Sequence, residues 1–266
     1  MQLQIYQVAA FTESQFGGNP AAVVPLATWI DDSLMQNIAA ENNLSETAFF
    51  VPVADGEWHI RWFTPVVEVP LCGHATLASA AVIRERLNHA NWPIRLQSAS
   101  GPLAVDFDGE SYVLDLPAIE PVPTELPEGF EAALGHEVLE SYLGQDIVMV
   151  VLPDEAAVAS LKPNFVALAE RSKHGVIATA AGDSVDFVSR FFAPALGIDE
   201  DPVTGVAHCV LTPYWSRRLG KKELDARQIS SRTGVLGCAD RGDRVTLRGR
   251  TVFFMDGQIS LAGSYK

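Results

Sequence analysis

The chain has 266 residues, 48% hydrophobic and 20% charged, enough to bury the core of one large domain or of two smaller ones. Lys and Arg number 19 against 33 Asp and Glu, a net charge of −14 that argues against nucleic acid or an anionic membrane as partner, since phosphates are held by excess cations. No run reaches the roughly 18 apolar residues of a spanning helix, and Cys72, Cys209 and Cys238 form neither a CxxC pair nor an even framework, so a reducing cytoplasm is the expected location.

Leu3 to Ala10 predicts a strand, and Gly17-Gly18-Asn19-Pro20 a turn before the apolar stretch 21–26. Asp31 or Asp32 should cap a helix running to about Asn43, with Leu34, Met35, Ile38 and Ala39 at helical spacing. Thr47 to Val53 and Trp58 to Thr64 read as neighbouring strands. From Gly73 the run HATLASAAVI is apolar nearly all round, which places that helix inside a domain. Residues 116–130 carry Pro117, Pro121, Pro123 and Pro127, which fit neither a helix nor a central strand, so the domain boundary belongs there. Beyond it, strands are expected at 147–152, 175–180 and 186–192, with a helix around 155–171.

The halves differ in charge: residues 1–130 hold 4 Arg and no Lys against 16 acidic residues, whereas 131–266 hold 15 basic and 17 acidic. Most of that acidity reads as solvated surface. The sharper implication is that the first half carries working carboxylates. The halves also echo each other. Arg61-Trp62-Phe63-Thr64-Pro65 answers to Arg190-Phe191-Phe192-Ala193-Pro194, Gly73 to Gly205, and Ser98-Ala99-Ser100-Gly101 to Ser231-Arg232-Thr233-Gly234. Three echoes in one order point to an internal duplication. In each half a glycine opens a mostly apolar helix, whose first N–H groups have no helical acceptor and suit a small anion such as a carboxylate.

Known chemical signatures are sparse. The six histidines form no HxH or HExxH spacing, so no metal site is expected. Phosphate loops, a strand-linked GxGxxG and a GxSxG elbow are missing, and none of the five lysines lies near the repeated glycines. Glu46, between a helix and the apolar run Ala48-Phe49-Phe50-Val51, suits a general acid/base working near neutrality. His74 alone reads as a core histidine and Asp201 as a turn residue before Pro202. Cys72 sits where a helix start would favour thiolate, although inert buried cysteines are common. Pro213 should kink or end the second helix.

The segments GGNPAAVV (17–24), NLSETAFF (43–50), RWFTPVVEVPLCGHAT (61–76) and EDPVTGVAHC (200–209) together resemble the PhzF family, in the family's order and over essentially the whole chain. The resemblance implies an α+β fold shared with diaminopimelate epimerase: two similar duplicated domains, each a mixed β-barrel-like sheet around a central helix, with the active site between them. It places the first domain at about 1–118 with a returning last strand of about 252–266, and the second at 119–251. It implies a cofactor-independent isomerase for a small carboxylate-bearing metabolite. By residue, Glu46 matches the catalytic carboxylate, while Ser45, His74 and Asp201 match substrate contacts. Gly73 and Gly205 match the helix starts whose amides receive the carboxylate. Val206 stands where the family usually has Ser, so a backbone N–H remains there without a hydroxyl. Diaminopimelate epimerase uses two opposed thiols; here Thr204 stands opposite Cys72, which argues against a two-thiol racemase. Two alternatives stay open: an epimerase using Cys72 with Glu46, and a catalytically idle binding protein. The sequence leaves oligomeric state open between monomer and homodimer.

Overall fold

The computed structural model describes residues 1–262 and divides into two compact units, Met1–Asp115 joined by the chain from Arg248 onward, and Leu116–Leu247. In chain order the first unit holds β1 (Gln2–Ala10), β2 (Asn19–Pro25), α1 (Asp32–Asn42), β3 (Glu46–Ala54), β4 (Glu57–Phe63), β5 (Glu68–Val69), α2 (Gly73–Glu85), β6 (Ile94–Ser98), β7 (Gly101–Phe107) and β8 (Tyr112–Pro117). The second unit follows with β9 (Val122–Pro123), α3 (Phe130–Leu134), β10 (Glu140–Gly144), β11 (Ile147–Val151), α4 (Glu155–Ser160), α5 (Phe165–Arg171), β12 (Val176–Ala181), β13 (Phe187–Ala193), β14 (Ile198–Asp201), α6 (Gly205–Leu219), β15 (Glu223–Gln228), β16 (Gly234–Asp240) and β17 (Arg244–Gly249). Finally β18 (Thr251–Ser260) returns to the first unit and pairs antiparallel with β1. Residues 263–266, the end of the strand expected at 252–266, lie outside the described residues. None of the described helices is long and apolar enough to cross a membrane.

Both units use one pairing order. β2 lies parallel to β3, β3 antiparallel to β4, β4 parallel to β6, and β6 antiparallel to β7. In the second unit β11 lies parallel to β12, β12 antiparallel to β13, β13 parallel to β15, and β15 antiparallel to β16. The echoed arginines make equivalent ties. Arg61 holds Glu68 through two 2.7 Å hydrogen bonds, and Arg190 holds Glu200 through bonds of 2.7 and 2.8 Å.

Period-2 alternation decides what each face of β3 meets. Phe49 and Val51 join Leu34, Met35 and Ile38 of α1 in one cluster, and Glu46, Ala48 and Phe50 point the other way, where α2 packs on β1, β2 and β3. α2 is buried from His74 through Ile83, as its uninterrupted apolar run predicts. Its Leu77, Val82 and Ile83 are fully shielded, each contributing about 1.5–3 kcal/mol of burial. The second unit repeats the layering. α3, α4 and α5 pack with Val150, Ala178, Val188 and Phe192, while α6 is buried from Ala207 through Ser216.

Two expectations need correction. The single helix around 155–171 is two, α4 and α5, because Pro163 lies in the break and Asn164 caps the second by accepting from Ala167 N–H. Pro213 does not end α6, which continues to Leu219 and stops at left-handed Gly220. A proline there removes the N–H that Cys209 C=O would accept. The N–H of Ile119 donates to that carbonyl instead, at 3.0 Å, so the helix passes the proline with its acceptor satisfied.

Candidate active site

Glu46 is placed by punctuation on both sides. α1 stops at Asn43, which adopts the left-handed conformation (φ 48°), and three residues later β3 opens with Glu46. Its parallel neighbour is Ala21 of β2, so Asn19, two residues earlier, shares the same face. The Gly17-Gly18 turn delivers Asn19 there. Gly18 has φ +63°, and a Cβ on it would collide with the carbonyl oxygen of Ala10 and with Thr12. From the third side comes α2. Its cap, Cys72, is extended and makes no side-chain capping bond. Gly73 follows, half-buried, then His74.

These pieces meet at the imidazole. His74 Nε2 lies 3.2 Å from Glu46 Oε2, with the two side chains 5% and 13% exposed. The approach is oblique to the ring N–H, so Glu46 Oε2 makes no straight hydrogen bond with it. His74 Nδ1 is 3.1 Å from Asn19 Nδ2 and 3.5 Å from Cys72 Sγ. Burial pushes His74 down, while the negative charges of an ionised Cys72 and of the Glu46 carboxylate push it up, and the net direction is well above its ordinary value. The same burial, reinforced by Glu46, pushes the Cys72 thiol up to about 11. The thiolate expected at a helix start is therefore replaced by a thiol, because desolvation beats the helix N-terminus. Ser45 stands beside Glu46, half-buried.

Glu46, Cys72 and His74 also offer three donor atoms within 4.8 Å, a cluster that spacing in sequence does not reveal. The thiol lies nearer Nδ1 (3.5 Å) than Nε2 (4.0 Å), while the carboxylate faces Nε2.

The start of α6 is built differently. Its cap is Thr204, also extended, whose hydroxyl donates to Asp201 Oδ2. Gln228, fully buried, clamps that corner. Its amide NH₂ donates to Asp201 C=O at 2.7 Å and to Thr204 Oγ1 at 3.1 Å, while its Oε1 accepts from Thr204 N–H at 2.9 Å. His208 Nδ1 lies 2.8 Å from Thr204 C=O, and burial pushes that imidazole down to about 4. Gly205 is buried and Val206 half-buried at the helix start.

Of the residues singled out in the sequence, Glu46, His74, Cys72, Gly73 and Ser45 thus gather in the first unit, and Asp201, Thr204, Gly205 and Val206 gather in the second. Sequence reading missed Asn19 and Gln228 as polar partners. Asn19 had a signal, since it follows two glycines at the first position of a strand. Gln228 had none, because nothing local marks a glutamine that will be fully buried.

Comparison with known proteins agrees with this architecture. The model of the phenazine biosynthesis-like protein family matches residues 8–257. The chain belongs to that family. An uncharacterized isomerase of Pseudomonas aeruginosa is 49% identical over 261 residues, covering 98% of this chain and 100% of that one. The crystal structure of a PhzF-family protein from Enterococcus faecalis superposes with a TM-score of 0.95 at 48% identity, covering 98% of this chain and 100% of that one. The family's α+β fold extends further: a probable proline racemase from Agrobacterium radiobacter matches at TM-score 0.66 and 13% identity, over 97% of this chain and 93% of that one, a likeness of fold alone.

Proposed function

We propose that the chain is a cofactor-independent isomerase that moves a proton between carbons of a small carboxylate-bearing metabolite, with Glu46 as general acid/base. The observation that carries this reading is the contact of Glu46 Oε2 with His74 Nε2 at 3.2 Å, beside the uncapped start of α2. Membership of a family with relatives named as isomerases supports the reaction class. In the reaction, Glu46 accepts the proton of a substrate C–H bond. The electron pair moves into the substrate's adjacent π system, and Glu46 returns the proton to another carbon on the same face. No oxidant or reductant is consumed. The amides at Gly73 and His74 hold the substrate carboxylate, and His74 keeps Glu46 oriented while its charge changes. Ser45 lies alongside as a substrate contact. Asp201, Gly205 and Val206 are assigned to ligand binding at the start of α6, with Asp201 held in place by Thr204. The two halves are read as products of one duplication, a reading supported by their shared pairing order.

The test is a screen of small amino and hydroxy acids in deuterated water, read by NMR for lost C–H signals. Exchange that persists undiminished in Glu46→Gln would overturn the role of Glu46. A one-thiol epimerase is the second reading, favoured by the 3.5 Å approach of Cys72 Sγ to His74. It requires a thiolate, which burial opposes at neutral pH.

A further inference from the structure

We infer that Asn19 is a positioning residue that dictates which nitrogen of His74 carries a proton, and that its carboxamide turns over as His74 changes protonation state. This deepens the proposed function and rests on it for its catalytic meaning. The geometry itself is independent of any substrate.

Asn19 is fully buried, and its Nδ2 lies 3.1 Å from His74 Nδ1. A carboxamide nitrogen can only donate, so Nδ1 must accept and the proton of a neutral ring must sit on Nε2. Nε2 is the nitrogen that faces Glu46. The arrangement therefore leaves the single N–H of neutral His74 on the ring nitrogen nearest the carboxylate, 3.2 Å away though not in line with it. When Glu46 is ionised, the ring is drawn toward the cation, and Nδ1 becomes a donor. The amide nitrogen would then oppose it. Oxygen and nitrogen of a carboxamide are nearly equal in size, so a half-turn of the Asn19 side chain replaces donor by acceptor in place. An ionised Glu46 thus pairs with imidazolium and an Asn19 oxygen, and a protonated Glu46 pairs with neutral imidazole and an Asn19 nitrogen. Leu or Ala at this position could serve neither state, and Asp could serve only the cation. The groups facing His74 are Asn19 from β2, Glu46 from β3 and Cys72 from the helix cap.

The experiment uses the full chain labelled with ¹⁵N-histidine, followed by long-range ¹H–¹⁵N NMR from pH 5 to 9. The His74 signals are assigned by their loss in His74→Gln. In the unmodified protein the neutral ring should be protonated at Nε2. Asn19→Asp places a carboxylate at hydrogen-bond distance and should raise the His74 titration midpoint by about 1–3 pH units. Asn19→Leu should lower the midpoint and let the neutral ring divide between both tautomers. The tautomer of the neutral ring is the readout that a merely structural role would not move. The inference is overturned if the midpoints shift alike, or if tautomer and midpoint stay unmoved in variants whose melting temperature shows them folded. Should Asn19→Leu not fold, Asn19→Ala carries the same expectation. Because no substrate is added, failure here leaves the deuterium test of Glu46 standing, and failure of that test leaves the Asn19 measurement intact.

Discussion

At the start of α2 the imidazole sits on the second residue and reaches Glu46, whereas at the start of α6 it sits on the fourth and turns back onto the carbonyl of its own cap, Thr204. The two helices share a glycine opening, an extended cap without a side-chain capping bond, and a buried apolar body. They differ in what surrounds the cap. Around Cys72 are a carboxylate, an imidazole and a thiol, all able to change protonation. Around Thr204 are its own hydroxyl, the carboxylate of Asp201 that the hydroxyl donates to, the carboxamide of Gln228, and an imidazole that burial pushes down to about 4.

The largest effect that would break this contrast is at Glu46. Glu46→Gln keeps size and hydrogen bonding but cannot carry a proton, so substrate deuterium exchange should fall by about 10²–10⁴-fold with little change in melting temperature. Full retention of exchange would mean the first helix start is as inert as the second.

The second start can be broken through its clamp. Gln228→Leu strips partners from Thr204 N–H and Asp201 C=O in a fully buried corner. Two orphaned backbone groups at about 1–3 kcal/mol each should cost roughly 3–4 kcal/mol in urea unfolding. A loss below 1 kcal/mol would show that α6 does not depend on this corner.

His208 sharpens the contrast through pH. Its folded value near 4 lies below its ordinary value of 6.5, so the unfolded chain takes up a proton first as pH falls. Its stabilising contribution is therefore complete above about pH 6.5 and is lost progressively toward pH 4, up to about 3 kcal/mol at 1.36 kcal/mol per unit. His208→Gln should flatten that part of the stability–pH curve measured by denaturant midpoints. An unchanged slope would place the acid sensitivity elsewhere.

The smallest effect belongs to Cys72. With its thiol pushed up to about 11, little thiolate exists at neutral pH. Cys72→Ser should keep turnover within about threefold, a minor change beside the 10²–10⁴ of a lost acid/base. A dead serine variant alongside an active Glu46→Gln would transfer the chemistry to the thiol.

What the sequence determined by itself is largely what short-range physics controls. The unbroken apolar run after Gly73 required a buried helix, the spacing of Leu34, Met35, Ile38 and Ala39 required an amphipathic one, and alternation located β3 and β4. The echo between Arg61 and Arg190 located equivalent strands, and in the fold each arginine holds its own glutamate a few residues on. The paired segments around Glu46, Gly73 and Gly205 carried the family likeness. Local rules failed where a distant atom supplied the missing partner. Pro213 stays inside α6 only because Ile119 N–H bonds the carbonyl that the proline leaves free. The identity of the partners around His74 was likewise a tertiary decision: Asn19, Glu46 and Cys72 come from three separate segments, brought within a few ångströms by strand register and helix packing. Their protonation follows from burial and mutual charge, which depend on where atoms lie in space and not on their spacing along the chain.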